Sequence, residues 1–145
     1  TMALEVKTTA ASGAREISIS SLDQLDQTTD KLYLILLQLT PSQENIGMTL
    51  HNLYTDLRKK SSVNFSTLAL FMRKTQEMID RASKEQLSEH FLLSDFSIYD
   101  ICKDFPKITR ENVPEGVIDA RYRLTISSLQ PFDVTHESEG IIENG

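Results

Sequence analysis

Few side chains in this sequence are suited to acid–base or covalent chemistry, and they are scattered. The three histidines, His51, His90 and His136, lie far apart. His90 directly follows Glu89 and stands near Glu85, with Asp95 and the single cysteine, Cys102, a little downstream. A histidine among carboxylates and a thiol has the residue types of a general base, an orienting acid and a nucleophile, or of a small metal site. The spacing does not hold that reading together. No two histidines stand at the helical spacing that puts ligands on one face, and there is neither a Gly-rich phosphate loop nor a nucleophile elbow. Cys102 beside Ile101 reads as a small buried hydrophobe, and one cysteine excludes an intrachain disulfide and a cysteine-based zinc cluster. His90 itself reads as a partly exposed helix residue. The expectation is no catalytic residue, no metal ligand and no cofactor. A small ligand-binding or hydrolytic helical bundle centred on His90 is the second alternative.

The elements that would position any such group follow from one stretch, Ser21 to Lys60. Steps of three and four from Leu22 pass through Leu25, Thr29, Leu32, Leu36, Leu39, Gln43, Ile46, Leu50, Leu53 and Leu57 to Lys60, and nine of these twelve are aliphatic. That period is the period of α-helices packing side by side. Ser21 and Gln24 make a capping-box pattern at its start, with Asp23 and Asp26 opposing the helix dipole. Around Leu32 the apolar surface widens to Leu37, which marks the centre of the core. Thr40-Pro41 reads either as a corner between two helices or as a kink, with the corner preferred. Gly47 inside the second helix would permit close approach of another backbone. Arg58-Lys59-Lys60 would close it with charges that suit a helix C-terminus.

A third helix is expected from Asn64 to Ala82. Ser83 and Gln86 repeat the capping-box pattern, so short helices are expected over 84–105, where Phe91, Phe96 and Tyr99 gather. Residues 118–126 alternate apolar and polar, as a strand would, with residues 16–20 or 4–8 as its only partners. The same residues fit a helix face, and in an otherwise helical chain they are assigned to a fourth helix. The expected fold is mainly α, a three- to four-helix bundle with coiled-coil-like heptad seams and flexible ends. Its organisation would be a Ser/Thr-rich flexible leader (1–20), a bundle domain (21–130) and an acidic flexible tail (131–145).

Charge and length narrow the function. A net charge of −6 argues against a nucleic-acid surface, because phosphate binding needs a basic face. The longest apolar run, Leu32 to Leu37, is six residues, whereas a membrane span needs about 20. The expectation is a non-enzymatic, soluble, cytoplasmic interaction or assembly module, an adaptor or scaffold that binds a protein partner or self-associates as an oligomer. Leu32, Leu36, Leu39, Phe91, Phe96 and Tyr99 are the candidate partner-binding residues. The alternative is a secreted or secretion-system-associated bacterial helical protein whose N-terminal leader is read for export.

Overall fold

The structure, a computed structural model, describes residues 2–10, 13–26, 29–52, 55, 56, 73, 77 and 80–143. It is mixed α/β and not a helical bundle. The strands are β1 (Met2–Ala10), β2 (Glu16–Ile19), β3 (Lys31–Pro41), β4 (Met48–Thr49), β5 (His90–Asp100) and β6 (Tyr122–Thr125). Among the described residues, α1 (Lys84–Ser88), α2 (Ser138–Glu143) and the 3-10 segments Leu22–Leu25, Ile126–Phe132 and Thr135–Glu137 accompany them, and residues 50–52, 55, 56, 73, 77, 80 and 81 are also helical. One sheet has the order β1-β3-β5-β4 and the other pairs β2 with β6.

The run expected to centre a helical bundle is β3. Leu32, Leu34 and Leu36 are buried, and Tyr33, Ile35 and Leu37 between them are half-buried. Positions 32 and 36 share a face in a helix and in a strand alike, since four residues is close to one helical turn and two full strand repeats. Leu34 separates the two cases, and it points inward. A short run that is apolar on both faces carries no usable period, and the parallel neighbour β1 covers one edge of β3. Pro41 neither kinks nor starts a helix. It ends β3, where its missing N–H interrupts no ladder.

Two compact units divide the chain, residues 1–39 with 93–145, and residues 40–92. In the first, β1 pairs with β3 in parallel register. β5 runs back along β3, as shown by Ile101 N–H donating to Leu32 O at 2.9 Å and Ser94 Oγ donating to Gln38 O at 3.0 Å. The expected flexible leader therefore holds β1 and β2, and the expected flexible tail holds helical turns through Glu143. The segment assigned to a fourth helix contains β6, which pairs antiparallel with β2 from Glu16–Thr125 to Ile19–Tyr122. Ile17 and Ile19 face inward from β2 and join Leu25, Leu32, Leu34, Leu36, Tyr99, Ile101, Phe105 and Leu129 in one core. Thr9, on the inward side of β1, has a buried hydroxyl oxygen with no hydrogen-bond partner among the described residues.

In the second unit, β4 pairs antiparallel with the start of β5, Met48 opposite Phe91 and Thr49 opposite His90. Gly47 holds φ at +104°, and a Cβ there would meet the carbonyl oxygen of Phe91. The expected close approach at Gly47 is thus real, in a turn instead of a helix. The Ser83–Gln86 capping box forms as read: Gln86 N–H donates to Ser83 Oγ and Ser83 N–H to Gln86 Oε1. Only α1 follows it, and most of the rest of the expected short-helix region, His90–Asp100, is β5. Within the expected third helix only residues 73, 77 and 80–82 are described, and 73, 77, 80 and 81 are helical. Asn64 and its apolar stripe lie outside the described residues.

Three stability measurements follow from this packing. Leu36→Asp places a charge in the core and is expected to abolish cooperative folding, seen as loss of the thermal transition. Gly47→Ala should lower stability by about 1–3 kcal/mol, since its φ and the Phe91 carbonyl both oppose a side chain. Thr9→Val, which deletes the orphaned hydroxyl at equal shape, should raise stability by about 1 kcal/mol in a denaturant titration.

Candidate functional site

β1 alternates sharply. Leu4 and Val6 are 42% and 51% exposed, while Ala3, Glu5, Lys7 and Thr9 form the half-buried row. The parallel register sets Glu5 beside Leu34 and Lys7 beside Leu36, the two residues whose side chains fill the core. Two charged groups are thereby carried onto the core side of the sheet, a placement that is costly unless they are paired. They are paired with each other. Lys7 Nζ stands 3.3 Å from Glu5 Oε1, and the two side chains keep only 16% and 23% of their exposure.

A third group completes the cluster. Gln24 Oε1 accepts a hydrogen bond from Lys7 Nζ at 3.1 Å and a second from Ser20 N–H at 2.7 Å. Gln24 lies on the 3-10 turn Leu22–Leu25, and both Leu22 and Leu25 are fully buried, so the turn is anchored on either side of it. The expected Ser21 capping box does not form. The Ser21 side chain makes no cap bond, and Gln24 reaches back one residue further, to Ser20.

The turn is also held from outside. Leu22 N–H donates to Asp119 Oδ1 at 3.1 Å, and Arg110 grips Asp23 through two bonds of 2.7 and 3.0 Å. The hydrogen bond from Arg110 holds the Asp23 carboxyl below the usual carboxylate range, and the Asp23 carboxylate raises Arg110 in turn. The Tyr122 hydroxyl accepts from Ile108 N–H at 3.1 Å, and burial pushes its pKa up. These contacts make the wall beside Glu5, Lys7 and Gln24 a bonded scaffold and not a loose loop.

The residues singled out from sequence lie elsewhere. His90 and His51 line one cleft of about 360 Å³ in the second unit, with Thr49, Lys84, Leu87 and Ser88, and the buried His90 Nδ1 has no partner among the described residues. Among the described residues no three His, Cys, Asp or Glu stand close enough to hold a metal ion. His136 is exposed beside Glu137. Of the candidate partner-binding residues, Leu32, Leu36 and Tyr99 are core, while Leu39, Phe91 and Phe96 are half-buried on β3 and β5. Among the described residues, no helix is long and apolar enough to cross a membrane.

Sequence reasoning missed Glu5 and Lys7, because their segment was read as a flexible leader, and it read Gln24 only as half of a helix cap. One signal was present. Of the eight lysines, only Lys7 has an acidic residue two positions before it.

No curated protein matches this chain, and no solved structure does. A family profile described as "Putative PD-(D/E)XK family member, (DUF4420)" matches residues 1–127. The (D/E)-X-K of that description is met once in the sequence, by Glu5-Val6-Lys7, and the sequence holds no Pro-Asp dipeptide. A match of this extent overturns the expectation of a non-enzymatic helical adaptor or coiled coil, since it connects the chain with a nuclease-like fold of enzyme type. The chain belongs to the PD-(D/E)XK-type family so described.

Proposed function

We propose that this protein is a nuclease-type enzyme, acting on phosphodiesters, whose working residues in this chain are Glu5 and Lys7. The observation that carries the reading is the half-buried Glu5–Lys7 pair on β1, seated at the one (D/E)-X-K triplet of the sequence. Phosphodiester hydrolysis needs little covalent chemistry from a protein. It needs positioning of a water molecule and stabilisation of charge on the phosphate oxygens. Lys7, held in place by two acceptors, supplies a cation in a poorly hydrated spot, where it is worth more than in bulk water. Glu5 is placed to accept a proton from the attacking water. The water oxygen bonds to phosphorus, the ester bond to the leaving oxygen breaks, and that oxygen takes a proton from Lys7 or solvent.

A divalent ion at such a centre takes several oxygen ligands, mostly carboxylates. This cluster offers one carboxylate, already engaged with Lys7, and among the described residues no three His, Cys, Asp or Glu stand close enough to hold an ion. These residues do not make an ion site by themselves, and no step above runs through one.

The acidic balance of the chain, which argues against an extended nucleic-acid surface, fits a local mode of binding. Arg110, Arg123 and Lys31 in the same unit each face a carboxylate, Asp23, Glu16 and Asp100. Contacts would then be few, and affinity would depend only weakly on salt.

The test is cleavage of end-labelled single- and double-stranded DNA with Mg2+ or Mn2+ present. Wild type is expected to cleave, and Lys7→Ala to lose about 100-fold or more in kcat with its thermal midpoint kept. A wild type that leaves every substrate intact, or a Lys7→Ala variant as active as wild type, overturns the proposal.

A further inference from the structure

Gln24 has two chemically different ends, and the structure determines which end is where. Its side-chain oxygen meets Ser20 N–H and the Lys7 ammonium, at 2.7 and 3.1 Å. Both are donors with nothing to accept with, so the atom facing them is the carbonyl oxygen. Two donors on one atom fix the orientation of the amide. The –NH2 branch is therefore turned away from Ser20. Among the described residues it has no hydrogen-bond partner. An unused amide donor thus stands one amide's width from the oxygen that holds the Lys7 ammonium. Its carrier is a turn with both flanking leucines fully buried and with Asp23 tied to Arg110. A rigid mount is what a group that positions another group requires, and it is uncommon for a glutamine that merely covers a surface.

We propose that Gln24 is a positioning residue for Lys7 and a contact for the substrate phosphate. Oε1 fixes the ammonium, and Nε2 donates to a non-bridging phosphate oxygen beside it. The two nitrogens then present a pair of donors to one phosphate, and the carboxylate oxygen of Glu5 that does not face Lys7 is left for the water. This rests on the reading of Glu5–Lys7 as the working pair.

The two ends can be separated by substitution. Gln24→Glu keeps an oxygen for Ser20 and Lys7 but replaces the –NH2 donor with a negative oxygen. It should lower kcat less than Gln24→Leu does, because the ammonium keeps its acceptor, and raise KM about tenfold, because the new charge repels the phosphate. Gln24→Leu removes both ends and should lower kcat about tenfold or more as well. A glutamine of purely structural importance would lower the thermal midpoint in both variants and would not divide kcat from KM between them. If Gln24→Leu fails to fold, Gln24→Glu alone decides. Unchanged kcat and KM in Gln24→Glu, while Lys7→Ala is inactive, overturns this inference and leaves the Glu5–Lys7 reading standing. If Lys7→Ala is also fully active, the parent reading falls and this inference falls with it.

Discussion

The parallel pairing of β1 with β3 is the constraint on which the rest depends. It aligns Glu5 with Leu34 and Lys7 with Leu36, so two charged side chains take their places on the side of the sheet that the core occupies. A register shift by one residue would turn Leu4 and Val6 inward and put Glu5 and Lys7 into water. The arrangement therefore exchanges apolar burial for a polar cluster: Leu4 and Val6 remain substantially exposed while the charged pair is half-covered. A fold chosen only for stability would reverse that choice, since a buried ion pair seldom repays its desolvation as well as a hydrophobic pair fills the same space. Local rules broken at one place in an otherwise consistent fold are the physical mark of a working site.

The surroundings of the pair show how the cost is held down. Lys7 keeps two acceptors, Glu5 and Gln24, and Gln24 is itself fixed by the Ser20 backbone. The turn that carries Gln24 is packed through Leu22 and Leu25 and tied through Asp119 and Arg110, residues about a hundred positions away in the chain. Asp23 is exposed, so its tie to Arg110 contributes orientation more than stability. The loop from Lys107 to Asn112 that supplies Arg110 is closed by its own bonds, Thr109 N–H to Asn112 Oδ1 and Asn112 N–H to Thr109 O. Positioning thus passes from an internally bonded loop, through an ion pair, to a turn, and from the turn to the Lys7 ammonium.

The acidic character of the chain and membership of a nuclease-like family are reconciled by scale. Net charge describes long-range attraction, and it argues about broad surfaces. The cluster of one lysine, one glutamate and one glutamine spans only a few ångströms, in a place where water is partly excluded. Three surface cations of the same unit, Lys31, Arg110 and Arg123, each face a carboxylate of their own.

The sequence by itself determined several local features. The Ser83–Gln86 capping box formed as read, because both halves of that motif lie within four residues. The tight approach at Gly47 and the period of two around residue 122 were also legible, since each depends on local geometry. Even the pairing partner of residues 122–125 was within reach, at residues 16–20. What the sequence did not determine was whether Leu32 to Leu39 would be a helix or a strand. Leu32 and Leu36 satisfy both periods, and leucine favours helices, so local propensity pointed the wrong way. The choice was made by partners distant in the chain, β1 on one side and β5 on the other, whose hydrogen bonds no local pattern announces. The site followed the same rule. Glu5-Val6-Lys7 was visible as a triplet, but only the tertiary structure brings Gln24 to it and half-buries it, because burial and proximity are properties of the packed chain.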